Sequence, residues 1–252
     1  MGHIICIVSQ KGGVGKTTTA INLSAAFAVA ERNALLVDCD PQGNATAGMG
    51  IDKKRLKKSL YHAMTGKVMV KELITESSLE FLKILPARID LLRANEELRS
   101  KPYKEMILRD LLRDLKETYE YIIIDSPPSL SLLTVNALTA ADLVIIPLQC
   151  EFYALEGLVY LLKTFQVLKK RFNPDVKIGG ILLTMFETGE IISQQIAKAA
   201  RYHFKDMVFK TVIPRNVHLR ESSSHGKPLL LKNIMSHGSQ SYLKLAQEFM
   251  ER

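Results

Sequence analysis

Six side chains in this sequence are of the types that handle a polyphosphate and its counter-ion: Lys11, Lys16, Thr17, Asp38, Asp40 and Asp125. Lys16 and Thr17 lie near the end of the run Gln10-Lys11-Gly12-Gly13-Val14-Gly15-Lys16-Thr17-Thr18. Glycines let the backbone turn tightly, so that successive N–H groups point at one anion. A lysine placed just after them reaches terminal phosphates, and the neighbouring hydroxyl can hold Mg2+. Asp38 and Asp40 follow the apolar run Asn33-Ala34-Leu35-Leu36-Val37. They share a face, because strand side chains repeat every two residues. Asp125 ends Tyr121-Ile122-Ile123-Ile124-Asp125, where a carboxylate can bind Mg2+ through water. Nucleotide hydrolysis is the chemistry these groups would do together.

Such residues need a scaffold that brings strand ends together. The glycine run follows Ile4-Ile5-Cys6-Ile7-Val8 and opens a helical stretch over 19–30, the strand–loop–helix layout that adds a helix N-terminus to the anion cradle. Further apolar runs at 81–85, 121–124, 143–148 and 178–183 read as strands. Between them, residues 91–98, 106–115, 154–172, 191–204 and 239–250 read as helices. In the helix over 191–204, Ile192, Ile196, Ala199, Ala200 and His203 form the expected apolar face, with Lys198 and Arg201 outward. The cluster Lys53-Lys54-Arg55-Leu56-Lys57-Lys58 reads as a solvated helix start. Strands alternating with helices predict an α/β fold, a mostly parallel β-sheet with helices on both faces. Acids at the carboxyl ends of such strands lie where open α/β sheets bind ligands.

The 252 residues are enough for one large domain, expected over 1–252 without a separate N-terminal DNA-reading domain. Apolar residues at 47% exclude a disordered chain. No run approaches a transmembrane segment, and Met1-Gly2-His3 leads directly into a strand rather than a signal peptide. Three scattered cysteines, with no C-x-x-C pair, predict a reducing, cytoplasmic setting without disulfide or iron–sulfur chemistry. A net charge of +8 suits a polyanionic partner without saying which one.

The loop departs from G-x-x-x-x-G-K-[ST] by having Gln10 in place of the first glycine and Lys11 as a second lysine. In this it resembles the deviant Walker A ATPases, the ParA and MinD group, whose K-G-G-x-G-K-[ST] stands here at 11–17. Asp38-Cys39-Asp40-Pro41-Gln42-Gly43-Asn44, Asp125-Ser126-Pro127-Pro128 and Ile213-Pro214-Arg215-Asn216 match that group as well, closest to the small chromosomal ParA (Soj) type. The resemblance implies a P-loop NTPase domain using ATP and Mg2+. It implies that Lys11 crosses a homodimer interface to the partner's nucleotide, that Asp40 in switch I orients the attacking water, and that Lys16 serves the phosphates. Gly12, Gly13, Val14, Gly15, Thr17 and Thr18 complete the nucleotide loop. Thr17, Asp38 and Asp125 serve the metal, the carboxylates through water, and Pro214 and Asn216 frame the adenine. The absence of an N-K-x-D motif favours adenine over guanine.

By the same resemblance the ATP dimer binds DNA nonspecifically, on the nucleoid, in chromosome or plasmid partitioning. A ParB-like partner would trigger hydrolysis. Lys198, Arg201, Arg215 and Arg220 are the DNA candidates. Two places depart from that type: Phe186-Glu187-Thr188-Gly189-Glu190 is acidic where arginines are expected, and His218 replaces a common arginine. A MinD-like positioning ATPase for a protein cargo or membrane site therefore stays open. So does a metabolic relative acting on a small substrate, although no bridging cysteine pair of the nitrogenase type is visible.

Overall fold

The apolar runs assemble into one eight-stranded sheet in the computed structural model, which describes residues 2–216 and 226–252. The strands are β1 (His3–Ile7), β2 (Ala34–Asp38), β3 (Thr75–Glu76), β4 (Leu82–Leu85), β5 (Tyr121–Asp125), β6 (Leu143–Gln149), β7 (Lys177–Phe186) and β8 (Val208–Pro214). Their order is β3-β4-β2-β5-β1-β6-β7-β8. Every pairing is parallel except β3 with β4. The two-residue edge strand β3 has no apolar run and is set only by its pairing with Lys83 and Ile84.

Among the described residues ten α-helices accompany the strands: α1 (Lys16–Val29), α2 (Asn44–Gly48), α3 (Leu60–Met64), α4 (Ala94–Glu97), α5 (Ile107–Leu112), α6 (Leu132–Ala140), α7 (Ala154–Phe172), α8 (Ile191–Phe204), α9 (Leu229–Lys232) and α10 (His237–Met250). The period of two sorts the central strands between two cores. Ile5, Ile7, Leu36, Ile123 and Ile145 pack with α1, α9 and α10. Ile4, Cys6, Leu35, Val37, Ile122 and Ile124 pack with α3 to α8 on the opposite face. Burial on both faces is why these strands read as continuous apolar runs rather than alternating ones.

Three local expectations change. The cluster at 53–58 forms turns, and α3 starts only at Leu60, behind Ser59. On α8 the buried side is Ser193, Ala197 and Ala200, while Ile192 and His203 are exposed. The small residues there allow a close approach to the sheet that an Ile-led face would block. Arg201 does not point outward: half-buried, it donates to the carbonyls of Phe209 at 3.0 Å and Lys210 at 3.1 Å on β8. No helix among the described residues is long and apolar enough to cross a membrane.

Candidate functional site

Between β1 and α1 the chain needs two left-handed residues, and glycine fills both: Gly13 at φ 77° and Gly15 at φ 91°. Side chains rarely adopt this region, so the loop's curvature depends on these positions. Thr184 at the end of β7 ties the loop down, its hydroxyl donating to the Val14 carbonyl at 2.9 Å. Lys16 is buried and donates to the Lys11 carbonyl at 3.1 Å. Burial lowers the pKa of its ammonium, and the carboxylates of Asp125 and Asp40 act against that. Lys11 is different. Its side chain is 54% exposed, and its ammonium reaches Glu151 at 2.9 Å, an open ion pair of little net strength.

Sheet register puts the acids side by side. Asp125 pairs with Asp38 on β2 and with Ile7 on β1. Asp38 is fully buried, yet both its oxygens are engaged: one accepts from the Asp40 N–H at 3.2 Å, the other from the Thr46 N–H and hydroxyl, each at 2.7 Å. Thr46 in turn accepts from Ala87 N–H. These bonds fold the chain after β2 into α2 and set Asp40, whose own carboxylate accepts from Gln42 N–H at 2.9 Å. Burial pushes the Asp38 carboxyl up, against the pull of its hydrogen bonds.

Asp125 is the reverse case. It is completely buried and neither carboxylate oxygen has a hydrogen-bond partner. Burial and the Asp38 charge drive its pKa well above the usual carboxylate range, while Thr17 and Lys16 act the other way. Two orphaned carboxyl oxygens beside Thr17 and Lys16 fit a cation carrying its own water shell, which would hold the group in its charged form. Among the described residues no three His, Cys, Asp or Glu converge as a metal cluster. Mg2+ takes one or two protein groups and completes its shell with water and phosphate.

A cleft of about 490 Å³ opens along these groups. Gly12, Gly13, Gly15, Lys16, Thr17 and Thr18 line it together with Asp40. Pro214, Arg215 and Asn216 line the same cleft. Val14 is buried beneath the loop rather than in the cleft. Sequence reasoning missed Asn44, Pro128, Thr184, Met185, Ile213 and Tyr242, which also face the cleft. Asn44, Pro128 and Ile213 belong to the quoted motifs, whereas Thr184, Met185 and Tyr242 are remote from any, and topology alone delivers them. Met185 has φ 52°, a left-handed non-glycine residue in the wall of the cleft. Such strain concentrates at ligand sites.

The basic candidates are less concentrated. Lys198 is exposed on α8, and Arg201 is tied to β8. Arg215 lines the cleft and pairs with Glu187 at 2.6 Å, with Glu151 at 4.0 Å. Arg220 and His218 lie outside the described residues.

A family model described as an AAA domain matches residues 2–178. The chromosome partitioning protein ParA of Myxococcus xanthus is 52% identical over all of this chain and 89% of its own length. The chain belongs to the ParA/Soj family of P-loop ATPases. The sporulation initiation inhibitor protein Soj of Bacillus subtilis is 48% identical, with 98% of each chain covered. Among solved structures, the septum site-determining protein MinD of Pyrococcus horikoshii, complexed with Mg-ADP, has a TM-score of 0.80 at 28% identity, over 98% of this chain and 96% of that one. In this ParA/Soj ATPase the glycine loop lines the open cleft, and Asp125 lies buried at the end of β5. That neighbour was crystallised with the same pair of ligands, a nucleotide and magnesium.

Proposed function

We propose that the chain is an ATP-driven dimer switch that binds DNA nonspecifically in its ATP form and serves chromosome or plasmid partitioning, with a ParB-like protein triggering hydrolysis. The observation that carries this reading is the contrast between the two loop lysines. Lys16 is buried and aimed at its own cleft, whereas Lys11 stands outside it on an exposed ion pair. A cation so placed is free to serve the nucleotide of a second copy. Mg2+, when bound by Thr17 and Asp125 with Asp38 behind them, would neutralise charge building up between the outer phosphates. Asp40, buried in the wall of the cleft, would orient the attacking water. Pro214 and Asn216 flank the base. Joining two basic surfaces raises DNA avidity without new contacts.

Three substitutions separate the steps. Lys16→Ala abolishes ATP binding. Lys11→Ala keeps nucleotide binding and loses ATP-dependent dimerisation. Asp40→Ala keeps ATP and accumulates the dimer, read by light scattering. An Asp40→Ala protein that stays monomeric when saturated with ATP sinks the reading.

One observation favours the MinD-like alternative: Arg215, a DNA candidate, is neutralised by Glu187. Under that alternative the ATP form ignores random duplex and is recruited to anionic vesicles or a protein cargo.

A further inference from the structure

We propose that the turn at 53–58 is a second contact surface for the sugar-phosphate backbone of duplex nucleic acid, and that it is joined mechanically to the loop carrying Asp40. The proposal rests on the reading that the ATP form binds DNA, and it adds a site and a coupling route to that reading.

The first observation is electrostatic. Elsewhere on the surface many cations have acidic partners: Arg32 with Glu120, Lys67 with Glu97, Lys83 with Glu76, Lys116 with Asp142. The turn packs five cations into six residues. Lys54, Lys57 and Lys58 are exposed and have no acidic partner among the described residues. Arg55 reaches Asp52 at 3.3 Å with its side chain 89% exposed. Holding like charges this close is unfavourable, and a row of phosphates relieves it while releasing counter-ions. The only apolar side chain in the turn, Leu56, is half-buried, so nothing is offered to a bilayer interior. Unpaired point charges without an apolar anchor match a polyphosphate rather than a membrane.

The second observation is mechanical. Lys53, the one lysine of the turn that is engaged, donates to the Gln42 carbonyl at 2.6 Å. Its Cδ packs so close to Gly43 that a Cβ there would stand 2.7 Å away. Gly43 N–H donates to the Asp40 carbonyl at 2.8 Å. From the other side, the Arg88 guanidinium donates to the Leu56 carbonyl, and Ser59 at the turn's end donates to Asp90 at 3.0 Å. The turn is thus clamped between the exit of β4 and the backbone two to three residues from Asp40. A shift of that loop on hydrolysis moves Lys53 with it. A phosphate backbone gripping the other lysines resists the shift.

The test uses the full chain with ATP and Mg2+, a random duplex, and salt from about 50 to 200 mM. In Lys54→Gln/Lys57→Gln/Lys58→Gln, the slope of log affinity against log salt becomes shallower by about 2–3, and affinity near 0.1 M salt falls at least about tenfold. ATP affinity and basal turnover stay at the wild-type level. In a Lys53→Met protein the three free lysines remain and duplex still binds, but the change in ATP turnover that duplex causes in the wild type disappears. Wild-type protein that binds duplex, with an unchanged slope in the triple variant, overturns this inference alone. Turnover in the wild type that ignores duplex overturns the coupling. Wild-type protein that never binds duplex overturns the functional reading and this proposal together. Vesicles of phosphatidylglycerol that recruit the wild type but not the triple variant, with duplex binding equal in both, also overturn it.

Discussion

Placing Asp125 directly beside Asp38 in the middle of the sheet puts two carboxylates where water does not reach. Asp38 is compensated by three hydrogen bonds; Asp125 has none. The protein therefore carries a destabilising group, whose cost the Mg2+ of the proposed mechanism would offset. Asp125→Asn removes the charge at constant size. The apo protein should gain on the order of 1 kcal/mol, or about 2–4 °C in Tm, while the extra stability conferred by Mg-ATP is lost. Thermal melts in chelator and in Mg-ATP read both effects. The same charge pair sets a pH dependence. A carboxyl raised by burial is protonated in the folded chain at pH values where the unfolded chain has already lost its proton. Apo stability from these two groups is full at low pH and declines as pH rises through their folded-state pKa, about 6 for Asp38. The gain from Asp125→Asn should accordingly be larger at pH 7.5 than at pH 4.5. An equal gain at both would show that the carboxylate is not the cause.

At the scale of elements, the loop after β2 is the one whose shape is least local. Its apolar approach, Asp38 and Asp40 are legible in sequence because strand burial and strand ends follow rules of period and position. The five-residue helix α2 is not legible. It is too short for propensity to decide and is held by Thr46 bonding to Asp38 and Ala87. Helix α6 escaped for another reason. It is buried almost all round, Asn136 included, so its sequence has no polar stripe to reveal a helical period. In the site, the glycine loop and the three acids were readable from their own neighbours. Thr184, Met185 and Tyr242 were not, since only the strand order and the packing of α10 on α1 bring them in. Gly43 tests this view of the loop. At φ 62° it has Ala87 O 2.9 Å from where a Cβ would sit, besides Lys53. Gly43→Ala should cost about 1–3 kcal/mol of stability and slow hydrolysis more than it weakens ATP binding. A single-turnover rate equal to wild type would mean that Asp40 does not depend on the loop's fit.

At the scale of the whole molecule, a net charge of +8 is compatible with a polyanionic partner, but the placement of acids decides where that partner is met. Lys11, Glu151, Arg215 and Glu187 form a chain of ion pairs linking the loops after β1, β6, β7 and β8. In this arrangement Arg215 is withheld from any phosphate by Glu187, 2.6 Å away, even though half of its side chain is exposed. Exposed pairs contribute about 0–1 kcal/mol, so under the proposed function Glu187 would weaken a contact between Arg215 and a phosphate without forbidding it. Removing its charge should therefore act on binding and hardly on folding. With ATP and Mg2+, Glu187→Gln should bind random duplex several-fold more tightly, with a salt slope steeper by about one contact, because Arg215 becomes available to a phosphate. Tm should stay within about 1 °C of wild type, as expected for a surface substitution. Glu187→Asp, which keeps the charge on a shorter stem, serves as the control and should fall between the two. If Glu187→Gln leaves both affinity and slope untouched while the duplex still binds, Arg215 takes no part in holding DNA and the contact surface lies elsewhere on the fold. If neither protein binds duplex, the acidic loop belongs to a positioning ATPase that recognises something other than nucleic acid.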